Sequence, residues 1–122
     1  MKTVLIIDDD VFVLVTVGDL LRKAGYQVLT VQTPEEAFDL DVASVSAILC
    51  DYNMPRMTGT DVLIAMRELK DCRAPFIFLT GHEALDDLLS VAIRYNAELL
   101  PKPIDPAELT RLLQKQLNSA AA

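Results

Sequence analysis

Val4-Leu5-Ile6-Ile7-Asp8-Asp9-Asp10 joins four β-prone apolar residues directly to three aspartates. The same abrupt stop recurs downstream. Ala47-Ile48-Leu49-Cys50 runs into Asp51, Pro75-Phe76-Ile77-Phe78-Leu79 into Thr80, and Glu98-Leu99-Leu100-Pro101 into Lys102. Continuous apolar runs mark parallel strands buried on both faces, and open α/β sheets bind ligands outside the carboxyl ends of their strands. If the four runs are parallel neighbours, the carboxylates of Asp8, Asp9 and Asp51, a hydroxyl and an ammonium meet along one edge. Such an edge suits a cation and a phosphoryl group.

Around these runs the hydrophobic period alternates between strand-like and helix-like, the pattern of an α/β domain. Strands are expected near 3–7, 27–31, 46–50, 75–79 and 97–100, with helices near 11–24, 34–42, 59–70, 84–95 and 106–118. Asp10 stands where it can cap the first helix, and Gly25 where that helix should end. Thr33-Pro34-Glu35-Glu36 reads as an N-cap, a proline at the first helical position and an acidic first turn. Asp105-Pro106 repeats that logic. Val11 to Val17 is rich in β-branched residues and favours a strand by propensity alone. The crossover between two parallel strands, and the segment's length, make it a helix. Right-handed crossovers then give a five-stranded parallel sheet with helices on both faces.

A chain of 122 residues fits one domain with a sizeable core, and its 52% hydrophobic content is that of a globular protein. The core should span residues 2–118, with Ser119-Ala120-Ala121-Ala122 a frayed tail. A formal net charge of −7 argues against nucleic-acid binding by this domain. Cys50 and Cys72, the two cysteines, suit free thiols in a reducing compartment. No signal peptide is legible, and the longest apolar stretch, Val11 to Val17, is too short to cross a bilayer. A cytoplasmic domain without a membrane partner is expected.

Asp8 and Asp9 facing Asp51 would repel one another unless a cation intervened. Hard divalent cations that keep several waters, Mg²⁺ above all, match an all-oxygen site. A carboxylate beside such a cation can act as a nucleophile toward phosphorus and form an acyl phosphate. Transfer then needs positive charge and donors on the phosphoryl oxygens. Lys102 can supply the charge, while the Thr80 hydroxyl and the backbone N–H groups after Asp51 can donate.

Asp8-Asp9, Asp51-Tyr52-Asn53-Met54-Pro55-Arg56-Met57-Thr58-Gly59, Leu79-Thr80-Gly81 and Lys102-Pro103 together resemble the motif set of the response-regulator receiver domain of two-component signalling. The likeness covers about residues 2–118 and is closest to single-domain, chemotaxis-regulator-like members. It implies a flavodoxin-like (βα)5 fold with strand order 2-1-3-4-5. It also implies that Asp51 is the phosphoacceptor and that Asp9, Asp51 and the Asn53 backbone carbonyl hold Mg²⁺, with Mn²⁺ as a substitute. Asp8 would support the metal through water, while Thr80 and Lys102 would contact the phosphoryl group. A cis bond before Pro103 would aim Lys102 inward. The implied donor is a histidine kinase or histidine phosphotransfer protein, and the implied recipient of the signal is a downstream protein or an output domain. Homodimerisation is left open. Such a domain is regulatory rather than an enzyme, catalysing only its own phosphorylation and dephosphorylation.

The chain departs from that pattern in places. Leu99 stands at the switch position where the family usually carries Tyr or Phe, so coupling by rotation of an aromatic ring is not expected. Tyr95-Asn96-Ala97 replaces a Gly-Ala pair, with Asn96 suited to a left-handed backbone at the helix end. Thr58 replaces a common Asp and can still cap a helix. His82 and Asn53 occupy positions that modulate acyl-phosphate hydrolysis in this family. If Val13, Val17, Leu20, Leu21 and Ala24 face the sheet, then Val11, Leu14, Val15 and Gly18 form an apolar outer strip for docking a partner. With no output domain after residue 118, the chain reads as a stand-alone regulator or an excised receiver. Other readings are an aspartate-nucleophile phosphatase-like enzyme, a pseudo-receiver interaction module and a flavodoxin-like cofactor binder. The Asp-x-Asp nucleophile pattern with a following Gly-Thr, which the first needs, is missing, and the last needs phosphate-cradling loops that three aspartates would spoil.

Overall fold

The computed structural model describes residues 2–81 and 85–121. Strands β1 (Thr3–Ile7), β2 (Gln27–Val31), β3 (Ala47–Asp51), β4 (Phe76–Thr80) and β5 (Glu98–Pro101) alternate with helices α1 (Val11–Lys23), α2 (Pro34–Phe38), α3 (Gly59–Glu68), α4 (Leu85–Tyr95) and α5 (Pro106–Ala121). All strand pairs are parallel and their order is β2-β1-β3-β4-β5, as expected.

Pleating sorts the central strands into two cores. Leu5, Ile7, Ile48, Cys50, Phe76 and Phe78 face Ala37 of α2, Val62, Leu63 and Met66 of α3, and Leu88 of α4. Val4, Ile6, Ala47, Leu49, Ile77 and Leu79 face Leu14, Val17 and Leu21 of α1, and Leu109, Leu113 and Leu117 of α5. Burial on both faces is why these strands read as unbroken apolar runs. Phe76 and Phe78 stack edge to face with ring centroids 5.0 Å apart. No helix among the described residues is long and apolar enough to cross a membrane.

The helix punctuation follows from side-chain capping. Asp10 accepts from the Phe12 N–H at 3.0 Å, Thr33 from Glu36 at 3.2 Å, and Asp105 from Ala107 at 3.0 Å. Thr58 and Asp61 form a reciprocal capping box at the start of α3. Gly25 and Asn96 take the left-handed conformation after α1 and α4, with φ of 100° and 57°. The Lys102–Pro103 bond is cis.

Three expectations need correction. Helix α2 ends at Phe38 rather than near 42, because Asp41 captures the Ala43 N–H at 3.1 Å and starts a separate 3-10 turn over Val42–Ser44. Helix α5 runs to Ala121, past the expected end near 118. The phase of α1 also differs. Leu14 and Gly18 are buried, not outward, because the inner stripe is Leu14, Val17, Gly18 and Leu21. A Cβ on Gly18 would lie in ordinary contact with β2, 3.6 Å from Val28 Cγ1. Val11 and Val15 remain exposed as expected, Val13 and Leu20 are half-buried, and Ala24 is exposed.

Candidate functional site

Asp51 is the last residue of β3, and the ends of β1, β3 and β5 are each held by one more rung beyond the strand. The Asp8 N–H donates to the Val31 carbonyl at 3.2 Å, Tyr52 to Leu79 at 3.0 Å, and Lys102 to Thr80 at 2.7 Å. The backbone is therefore fixed where the polar side chains begin. Carboxylate oxygens of Asp8, Asp9 and Asp51 lie within 4.8 Å of one another; Asp8 and Asp51 are buried and Asp9 is exposed. The Lys102 ammonium donates to Asp8 Oδ2 at 3.2 Å and to Asp51 Oδ1 at 3.1 Å. Asp8 is fully buried, and its other oxygen accepts the Asp10 N–H at 2.9 Å.

Burial sets the protonation of this cluster, and its charges modify it. Burial pushes the Asp51 carboxyl up to about 6, and neighbouring Asp8 adds to the push against Lys102 and the Asn53 N–H. Burial likewise raises Asp8, opposed by the Asp10 N–H and Lys102. For Lys102, burial alone would lower the ammonium, but Asp8 and Asp51 outweigh it and hold the group above its usual range. The wholly buried Cys50 thiol, with Asp51 and Asp8 beside it, is pushed well above its ordinary value.

One ammonium against three carboxylates leaves two negative charges uncompensated. That donor set, all hard oxygen and partly open through Asp9, fits a divalent cation of the Mg²⁺ type. Thr80 is buried at the end of the adjacent strand, and its hydroxyl donates to the Gly81 carbonyl at 3.2 Å rather than to a carboxylate. Asn53 forms an isolated bridge with Thr58 that closes the loop after Asp51. Leu99 is half-buried against the Phe76–Phe78 core and pairs in register with Phe78. His82 lies outside the described residues.

Gly59 sits where this loop re-enters the fold, and its N–H donates to the Tyr52 carbonyl at 2.7 Å. A Cβ there would come within 2.9 Å of the Asp51 carbonyl oxygen and 3.0 Å of both Phe78 Cδ1 and Tyr52 Cα. Gly59→Ala is accordingly expected to cost about 1–2 kcal/mol, read from urea unfolding, because two of the three neighbours are backbone.

Two features escaped the sequence reading. Phe12 is 73% exposed and belongs to the outer surface of α1, although the expected docking strip omitted it. Its place two residues before Leu14, off the inner stripe, is the signal that would have found it. Arg56 adopts φ of 71° in the loop after Asp51 and reaches Glu35 of α2 at 3.6 Å. No residue-type signal marks an arginine for that conformation.

Residues 4–114 match the family described as the response regulator receiver domain. The transcriptional regulatory protein CpxR of Escherichia coli (strain K12) is 33% identical over 110 residues, which cover 89% of this chain and 46% of CpxR. The two-component response regulator ORR3 of Oryza sativa subsp. indica is 31% identical over 116 residues, covering 92% of this chain and 88% of ORR3. A response regulator receiver domain protein from Clostridium thermocellum superposes with a TM-score of 0.90 at 27% identity, covering 99% of this chain and 98% of the other. Chemotaxis protein CheY4 of Vibrio cholerae gives 0.81 at 28% identity, covering 95% and 98%. The chain spans about half the length of CpxR and most of that of ORR3. Agreement in sequence over nearly the whole chain, in sheet order and in overall shape has one meaning: this chain belongs to the response regulator receiver domain family of two-component signalling.

Proposed function

We propose that this domain accepts a phosphoryl group on Asp51 from a phosphohistidine of a histidine kinase or phosphotransfer protein, in a Mg²⁺-dependent reaction, and signals by changing its affinity for another protein. The observation that carries this reading is the Asp51 carboxylate at a strand end, 3.1 Å from Lys102 and clustered with Asp8 and Asp9. An Asp51 oxygen attacks phosphorus; its P–O bond forms as the P–N bond to imidazole breaks. The imidazole leaves with the electron pair and takes up a proton from solvent. A carboxyl that titrates near 6 is mostly ionised, hence nucleophilic, at neutral pH.

Asp9, Asp51 and the Asn53 carbonyl would hold the metal, with Asp8 behind them. Bound there, Mg²⁺ supplies the positive charge that lets an anionic phosphoryl group approach three carboxylates. Lys102 follows the charge from Asp51 onto the phosphoryl oxygens, and the Thr80 hydroxyl can exchange the Gly81 carbonyl for one of them. Exposed Val11, Phe12 and Val15 support α1 as the docking surface for the phosphodonor: Phe12 lines a groove of about 330 Å³ against Pro103, Ile104 and Pro106, while Val11 and Val15 line another against Thr30, Gln32 and Glu36.

Incubation with Mg²⁺ and acetyl phosphate or phosphoramidate, followed by intact-mass measurement, tests the proposal. One base-labile phosphoryl adduct is expected, absent in Asp51→Asn and after chelation. No adduct from any small donor would overturn the reading in favour of a pseudo-receiver. Catalytic turnover of phosphate monoesters would favour a phosphatase.

A further inference from the structure

We infer that Asp10 is a positioning residue for the cation site: by capping α1 it fixes the backbone N–H that orients Asp8, and so sets the affinity for the divalent ion. The inference rests on the proposed function, since it concerns the same metal.

The geometry is continuous along the chain. Asp8 has no exposure, and both of its oxygens are engaged, Oδ1 by the Asp10 N–H at 2.9 Å and Oδ2 by Lys102 at 3.2 Å. The lysine is shared with Asp51, whereas the Asp10 N–H contact is held from within the same segment. Asp10 is itself extended, with φ of −88° and ψ of 107°, so that its N–H faces Asp8 on one side while its side chain and carbonyl are tied to the start of α1 on the other. The conformation is in turn held by the Asp10 side chain accepting from Phe12 at 3.0 Å, and by its carbonyl accepting from Val13 and Leu14 at 3.1 and 3.2 Å.

Little else would hold it. The first turn of α1 has no acidic residue, and Val11-Phe12-Val13 are poor helix initiators. If the cap is lost, the first turn frays, the N–H leaves Asp8, and the buried carboxylate loses the donor that fixes its orientation. Asp9, between the two and exposed, loses its fixed direction with them. Partners that orient a ligating group in this way tune affinity without touching the ion.

The test is calorimetric titration of Mg²⁺ into the full chain, together with the Mg²⁺ dependence of adduct formation from acetyl phosphate. Asp10→Ala should weaken Mg²⁺ binding about three- to tenfold, while the adduct rate at saturating Mg²⁺ stays within about twofold. Asp10→Asn, an equally good cap without the charge, should bind Mg²⁺ within about twofold of wild type. If Asp10→Ala fails to fold, Asp10→Gly, which keeps most of the helix stability but has no capping oxygen, should still weaken Mg²⁺ binding, by a smaller factor of about two to three. A side-chain-free variant that binds Mg²⁺ as tightly as wild type would overturn the inference. So would an Asn variant as weak as Ala, which would make charge rather than position the cause. A wild-type chain that neither binds Mg²⁺ nor takes phosphate would instead remove the proposed function itself.

Discussion

Asp51→Asn, free of metal, should be more stable than wild type at about pH 7.5 by about 1–3 kcal/mol, and no more stable at about pH 4. The carboxyl ionises near 3.8 in an unfolded chain but near 6 in the fold. The fold therefore binds its proton more tightly than the unfolded chain does. As pH rises from about 4 to about 6 this group increasingly favours unfolding, and above that range the full cost persists. Asparagine never ionises and escapes the cost, while its amide oxygen can still accept from Lys102. Asp8 is shifted in the same direction, and because it also helps to raise Asp51, the difference between the proteins reads Asp51 together with its repulsion from Asp8. Urea unfolding at three pH values reads it. Millimolar Mg²⁺ should narrow or invert the ranking, because only wild type keeps the full ligand set. A difference that does not change with pH would mean that burial of Asp51 is not what destabilises the site.

Lys102→Ala should act in the opposite sense. It removes the one ammonium between Asp8 and Asp51, whose side chains are 0% and 9% exposed. Leaving buried carboxylates without their cation is expected to cost about 2–4 kcal/mol in the metal-free protein at neutral pH, seen as a fall of about 10 °C in melting temperature. Two rescues should follow from that cause. Lowering the pH to about 5 lets one carboxyl protonate, and Mg²⁺ replaces the lost charge, so the variant should bind Mg²⁺ more tightly than wild type. Phosphorylation from acetyl phosphate should nonetheless slow, because no side-chain cation remains to meet the phosphoryl oxygens. A variant as stable as wild type in the presence of chelator would show that the ammonium does not neutralise the pair.

The sheet was legible because its central strands are buried on both sides. Ile48-Leu49-Cys50 and Phe76-Ile77-Phe78 can hardly be anything else, and the polar residue ending each run marks the functional edge. The meeting of Asp8, Asp51 and Lys102 was legible for the same reason: they stand at the ends of β1, β3 and β5 of one sheet. The failures arose where burial gives no unique answer. On α1 nearly every residue from Val11 to Val17 is apolar, so periodicity could not set the helix phase. The phase instead follows the packing that buries Leu14, Val17, Gly18 and Leu21. At α2 a five-residue helix gives too short a pattern to place its end against a competing cap at Asp41. Phe12 was overlooked because no packing contact inside the domain calls for an exposed aromatic on a first helical turn.

The Lys102 clamp has a consequence for biosynthesis. Its two contacts join residues 94 and 51 positions apart along the chain. Contacts of such long range form late, since their closure entropy must be met before they contribute. A nascent chain halted anywhere before β5 carries both buried aspartates but not their counter-charge. On the proposed function, full competence to receive a phosphoryl group is thus expected to arrive late, once Lys102 has followed the last strand into place.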